Sequence, residues 1–128
     1  MNTLSSIVLP HASLPVAALP GIEHRTLAGR EHGLSQISIW QQTLAPGAAT
    51  PPHSHDTEEV VLCETGEGEV HLAGRVHRFG ARTSVLLPRD VPHQIFNVGD
   101  RPMQITGIFP SAPVAVFDLD AQPMPLPW

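Results

Sequence analysis

Gly47-Ala48-Ala49-Thr50-Pro51-Pro52-His53-Ser54-His55-Asp56-Thr57-Glu58-Glu59 is the stretch on which the reading of this chain turns. His53 and His55 are separated by a single residue, and the carboxylate of Glu59 follows a short polar run. Side chains of an extended chain alternate between faces, so His53, His55 and, if the strand runs on, Glu59 share one face. Imidazole and carboxylate ligands together suit Mn, Fe, Co, Ni or Zn. A fourth candidate, His93, lies far along the chain in Pro88-Arg89-Asp90-Val91-Pro92-His93-Gln94-Ile95-Phe96-Asn97. The expected site is one in which folding returns His93 to the first three.

On either side of this stretch the chain reads as short strands separated by turn residues. Ile22–Ala28 forms a strand and Gly29-Arg30-Glu31-His32-Gly33 a turn. Leu34–Leu44 alternates, with Ile37 and Ile39 on one face and Ser38 and Trp40 on the other. After Thr50 come Glu58–Glu64, a turn at Thr65-Gly66-Glu67-Gly68, Glu69–Ala73, a turn near Gly74, and Val76–Phe79. Thr83–Leu87, Val91–Val98 and Pro102–Phe109 follow, with turns at Pro88–Asp90 and Gly99-Asp100. No helical pattern exceeds two turns. Many short strands at close spacing indicate an all-β sandwich or barrel. Residues 1–21 are apolar and broken by Pro10, Pro15 and Pro20, which reads as an extended arm with a short strand around Ser6–Leu9. The tail from Ser111 holds a further strand at Val114–Phe117 and a proline-rich end. Leu126 and Trp128 are costly to leave in water, so that end is expected to pack.

Composition narrows the chemistry. At 128 residues the chain suffices for one domain, 1–128, with one core. A net charge of -5 argues against an electrostatic nucleic-acid partner. The absence of lysine excludes Schiff-base chemistry, and the absence of tyrosine removes a phenolic acid or ligand. Cys63 is the single cysteine, which rules out an intrachain disulfide and a cysteine-rich zinc site. No stretch approaches the roughly 18 apolar residues of a membrane helix, and the N-terminus lacks the pattern of a signal peptide. The expected location is the cytoplasm. There is no Gly-x-Ser-x-Gly elbow, Walker loop or dinucleotide fingerprint.

Residues 34–110 resemble the cupin superfamily, specifically its small single-domain members. The first family motif places glycine, His-x-His, glutamate and glycine at the spacing of Gly47, His53, His55, Glu59 and Gly66. The second is matched by Gly80, Pro88, His93 and Asn97. Asp90 stands where that motif usually has glycine, and aspartate tolerates the left-handed backbone better than most residues. The resemblance implies a double-stranded β-helix, a jelly-roll barrel, with a metal bound inside it by the residues matching His53, His55, Glu59 and His93.

Glu58 is out of phase with Glu59 and is expected to face away. His11, His24, His32, His71 and His77 lack partner spacing and are read as non-ligands. Trp40 is read as packing, Cys63 as a small buried hydrophobe, and Asn97 either as a hydrogen-bonding support for the site or as a strand end. Glu64, Glu67 and Glu69 read as a solvated acidic face. Val61, Ile95, Met103 and Ile105 are expected to line an apolar pocket. Three histidines and a carboxylate would close a tetrahedral zinc site. On six-coordinate Fe(II), Mn(II), Ni(II) or Co(II) they would leave two positions open. The sequence therefore supports a metal-dependent enzyme, dioxygenase-like and acting through metal and Glu59 on a small organic molecule. The alternatives are a non-catalytic binding or sensing module and a redox-neutral isomerase or lyase. The apolar arm, the tail and open strand edges predict a homodimer.

Overall fold

Residues 7–128 are described by the structure, a computed structural model. The strands are β1 (Ala17–Leu19), β2 (Ile22–Ala28), β3 (Ser38–Leu44), β4 (Glu59–Thr65), β5 (Glu67–Leu72), β6 (Arg75–Gly80), β7 (Thr83–Leu87), β8 (His93–Asn97) and β9 (Met103–Phe109). They form a six-stranded sheet in the order β1-β2-β3-β9-β4-β7 and a three-stranded sheet in the order β6-β5-β8. The only helical pieces among the described residues are short 3-10 turns at His11–Ser13 and Arg30–His32. The all-β, two-sheet jelly roll is the fold expected from the strand pattern and from the resemblance.

The core lies between the sheets, where alternate residues of each strand meet. Val61 and Cys63 of β4, Ile105 and Met103 of β9 and Leu44 of β3, neighbours in the six-stranded sheet, share one buried cluster with Val70 of β5 and Ile95 of β8 from the other sheet. Leu44 and Met103 are fully buried. Cys63 behaves as the expected small hydrophobe: it is buried, and burial pushes its thiol pKa up. Glu64, on the outward phase of the same strand, is exposed and accepts hydrogen bonds from Gln104 Nε2 and Thr106 Oγ1.

Several boundaries differ from expectation, for local reasons. β3 starts at Ser38 rather than Leu34, because residues 34–37 still belong to the turn after Gly33. Its Ser38 and Trp40 phase turns inward, and Ile37 is 48% exposed. The turn expected over Thr65–Gly68 shrinks to Gly66, whose φ of +98° changes the chain's direction within one residue. The strand expected at Val114–Phe117 does not form. Phe117 makes only isolated bridges, to Ser54 and Pro123, in a segment interrupted by Pro113. Residues 7–9 carry no strand, and Ser6 lies outside the described residues. Among the described residues of the arm the strand is β1, which pairs with β2 at the sheet edge.

Candidate metal centre

The two histidine-bearing stretches are joined by backbone hydrogen bonds. His93 N donates to His53 O at 2.8 Å, and His53 N donates to His93 O at 3.1 Å. Asp90 has φ +66°, the left-handed conformation expected of it, and its N–H donates to His55 O at 2.7 Å. Residues 40 positions apart in sequence thus become cross-strand neighbours. The extension through Glu59 is not one continuous strand, because the chain bends at Asp56-Thr57 and β4 begins afresh at Glu59. Glu59 nevertheless reaches the site. It starts the inward phase that continues through Val61 and Cys63, while Glu58 is exposed as expected.

Each histidine spends one ring nitrogen on a backbone carbonyl. His53 Nδ1 donates to Pro51 O at 2.6 Å, His55 Nδ1 to Ala115 O at 2.8 Å, and His93 Nδ1 to Val91 O at 3.3 Å. A carbonyl can only accept, so Nδ1 carries the proton and Nε2 is left as a bare lone pair. The Nε2 atoms of His55 and His93 are buried with no hydrogen-bond partner. Buried polar atoms are ordinarily paired, and a cation would satisfy both. One ligand atom from each of His53, His55 and His93 lies within 4.8 Å of the others. Glu59 Oε1 stands 3.4 Å from His55 Nε2 and 3.5 Å from His93 Nε2. Burial pushes the Glu59 pKa up, but the two imidazoles outweigh it and hold the carboxyl at about 2. Burial, reinforced by His93, lowers His53 to about 4. At neutral pH Glu59 is therefore a carboxylate and His53 a neutral imidazole, the protonation states a divalent metal requires of them.

The histidines and Glu59 open onto a cavity lined otherwise mainly by apolar and aromatic side chains, among them Val61, Ile95, Ile105, Phe109, Trp40 and Trp128, with Gln42 and Thr50 the polar exceptions. Met103, expected there, is instead sealed in the core behind Gly66 and Gly68. Trp40 is both packing and wall. Its ring meets Phe109 at 4.8 Å and Trp128 at 5.2 Å, and it lines the cavity. The tail packs as expected, and what it covers is this cavity, with Met124, Pro125, Leu126 and Trp128 in its wall. Asn97 does not support the site. Its Nδ2 donates to Leu44 O and Arg101 O, and its Oδ1 accepts from Gly99 N, so it fastens the β8–β9 turn. His24, His32, His71 and His77 stand outside the histidine group, and His11 is exposed.

Sequence reading missed Gly107. A Cβ on this β9 residue would meet Glu59 Oε2 at 2.6 Å and a Phe109 ring carbon at 3.3 Å. The available signal was a glycine inside a strand pattern, which marks close approach. Gly107→Ala is expected to displace the Glu59 carboxylate and weaken divalent-metal binding by about 10-fold, the scale of disturbed support around a ligand. Cobalt titration of the variant checks this, and unchanged affinity would show that Glu59 has room to spare.

Residues 40–109 match the family description Cupin domain. Auxin-binding protein 1 of Arabidopsis thaliana is 35% identical over 108 residues, which cover 77% of this chain and 54% of that protein. The chain thus spans about half the length of this curated relative. Among solved structures, the polyketide cyclase RemF from Streptomyces resistomycificus is similar at 19% identity and a TM-score of 0.73, covering 85% of this chain and 83% of that one. Lactobacillus farciminis oxalate decarboxylase is similar at 21% identity and a TM-score of 0.78, covering 85% of this chain and 34% of that one. The two solved structures share the fold and, at these identities, nothing finer. With its two-sheet barrel, its paired histidine stretches and a family match over most of the barrel, this chain belongs to the cupin family.

Proposed function

We propose that the chain is a metal-dependent enzyme, dioxygenase-like, acting on a small and largely apolar organic molecule. The observation that carries this reading is the convergence of three imidazoles, each with Nδ1 committed to a carbonyl, on one wall of an apolar cavity. His53, His55 and His93 would hold the ion, with Glu59 as the fourth group. A bound divalent transition metal supplies Lewis-acid or redox chemistry there. Glu59 contributes the site's one negative charge and stays ionised because its two neighbouring imidazoles hold its pKa low. Trp40, Phe109 and Trp128 exclude water and offer flat surfaces to a ring. Among the described cavity-lining residues, His53, His55, Glu59 and His93 are the only ionisable groups, so no separate acid, base or nucleophile competes for the chemistry.

The test is anaerobic Fe(II) loading followed by oxygen uptake across thiols, diketones, phenols, hydroxy acids and arylacetic acids. Substrate-dependent uptake supports the enzyme. A second reading, a binding module without turnover, is favoured by one observation: the curated relative is an auxin-binding protein. Stoichiometric iron and tight binding of an arylacetic acid, with no oxygen consumed by any compound, would decide for that reading.

The homodimer belongs to the same proposal, with a different surface from the one first expected. The tail is used on the chain's own cavity, but Leu62 and Leu86 remain 37% and 71% exposed on the outer face of the six-stranded sheet. Light scattering at micromolar concentration should give twice the 13.8 kDa chain mass. A monomer would refute it.

A further inference from the structure

His24 is read from sequence as a histidine without partners, and it is not part of the metal group. It is nevertheless 1% exposed, an unusual position for a polar ring without a task. On β2 it stands in register with Gln42 of β3, and Thr26 stands in register with Trp40. Strand alternation puts all four on the inner face. Gln42 Nε2 donates to His24 Nδ1 at 3.1 Å, and the opposite ring nitrogen, Nε2, donates to the Thr26 hydroxyl at 2.8 Å. The ring also lies flat against Trp128, with centroids 3.6 Å apart and planes 10° apart, and edge-on to Trp40 at 5.3 Å. Gln42, Trp40 and Trp128 are cavity walls.

We infer that His24 is a positioning residue for the cavity: it orients the amide of Gln42 by hydrogen bonding and seats Trp128 by stacking. The inference rests on the reading of the cavity as a ligand site. With one N–H of Nε2 given to His24, Gln42 keeps a second N–H and its amide oxygen for a ligand, more than the hydroxyl of Thr50, which accepts from Ile95 N at 3.0 Å and keeps its O–H. Left to itself a glutamine amide rotates and presents either end. With its nitrogen held by His24 it presents one arrangement to every ligand, and that arrangement is prepared before binding. Burial lowers the His24 pKa to about 4, so the ring stays neutral at physiological pH and the relay is not broken by protonation. Trp40 and Trp128 are the rings packed on it, and Gln42 and Thr26 its hydrogen-bonding neighbours.

The test uses the full chain, with nitrogen NMR of His24 and of the Gln42 side-chain amide. The wild type should show a single His24 tautomer protonated at Nε2 and a Gln42 amide protected from exchange. His24→Phe keeps a flat ring on Trp128 and removes both hydrogen bonds. Gln42 protection should then fall about 10-fold, with cobalt stoichiometry unchanged. Thr26→Val, which disturbs only the far end of the relay, should leave His24 averaging between tautomers, and it serves if His24→Phe does not fold. In the cobalt protein, His24→Phe should weaken phenylacetate binding about 10-fold. Gln42 protection unchanged in both variants would overturn the inference, as would a wild-type ring protonated at Nδ1. Loss of cobalt binding in the wild type would instead count against the metal reading, and failure of the wild type to bind phenylacetate against the aromatic-ligand reading. The amide measurement needs neither metal nor ligand, so it decides the role of His24 in either case.

Discussion

His93→Ala is expected to reduce the metal content of the purified protein from about one ion per chain to a small fraction of that, with a loss of at least about 100-fold in affinity. Disturbing a group that merely supports a ligand costs about 10- to 100-fold, and here a ligand itself is removed. His93 also brings the second stretch to the first, but it does so through backbone hydrogen bonds to His53 that alanine retains. The variant should therefore fold and still fail to bind. His53→Ala should behave alike, whereas Glu58→Ala, on an exposed side chain facing away, should keep full metal content. Metal analysis after dialysis reads all three. Full occupancy in both histidine variants would end the site assignment. The pH course follows from the same groups. Protons compete with metal for imidazole, but His53 is pushed down to about 4, chiefly by burial. It stays neutral as pH falls through 6, where an ordinary histidine protonates. Its contribution to binding should persist through mild acid and be lost as pH approaches 4.

The largest stability effect is expected at Gly66. Its φ is +98°, a conformation that is an outlier for a β-branched residue. A Cβ there would lie 2.8 Å from both Cα and Cβ of Met103, a fully buried residue that cannot retreat. Gly66→Val thus combines backbone strain of about 1–3 kcal/mol with overpacking of about 1–3 kcal/mol. A total loss near 4 kcal/mol would take much of the margin of an ordinary domain. The melting temperature should fall by more than about 10 °C. Gly74→Val separates the two causes. Gly74 also has positive φ, +74°, but a Cβ there meets nothing within 4 Å, so strain alone remains. Equal losses at Gly66 and Gly74 in thermal unfolding would show that the approach to Met103 carries no cost.

Much of the architecture was legible because it is local. β2 and β7 occupy Ile22–Ala28 and Thr83–Leu87, the spans read from the sequence, since each is bounded by turn residues a few positions away. The His53–His55 spacing and the left-handed Asp90 are likewise properties of near neighbours. What the residues show on their own is an all-β sandwich or barrel with two histidine-bearing stretches. The fourth site residue, His93, was placed by resemblance, and only the backbone pairing of His53 with His93 shows how the two stretches meet.

The walls of the cavity were decided by tertiary structure. Met103 and Ile105 share a strand phase, yet one is sealed behind Gly66 and Gly68 while the other faces the cavity, because depth along a barrel axis is not encoded in alternation. Trp128 could be expected to pack, but its partner, His24, is more than a hundred residues away and gave no spacing signal. Gly107 leaves room for Glu59 only because β9 lies beside β4. Alternation and turn chemistry act over a few bonds and can be read along the chain. Which atoms share a cavity depends on strand order across the sheet, which no short stretch contains.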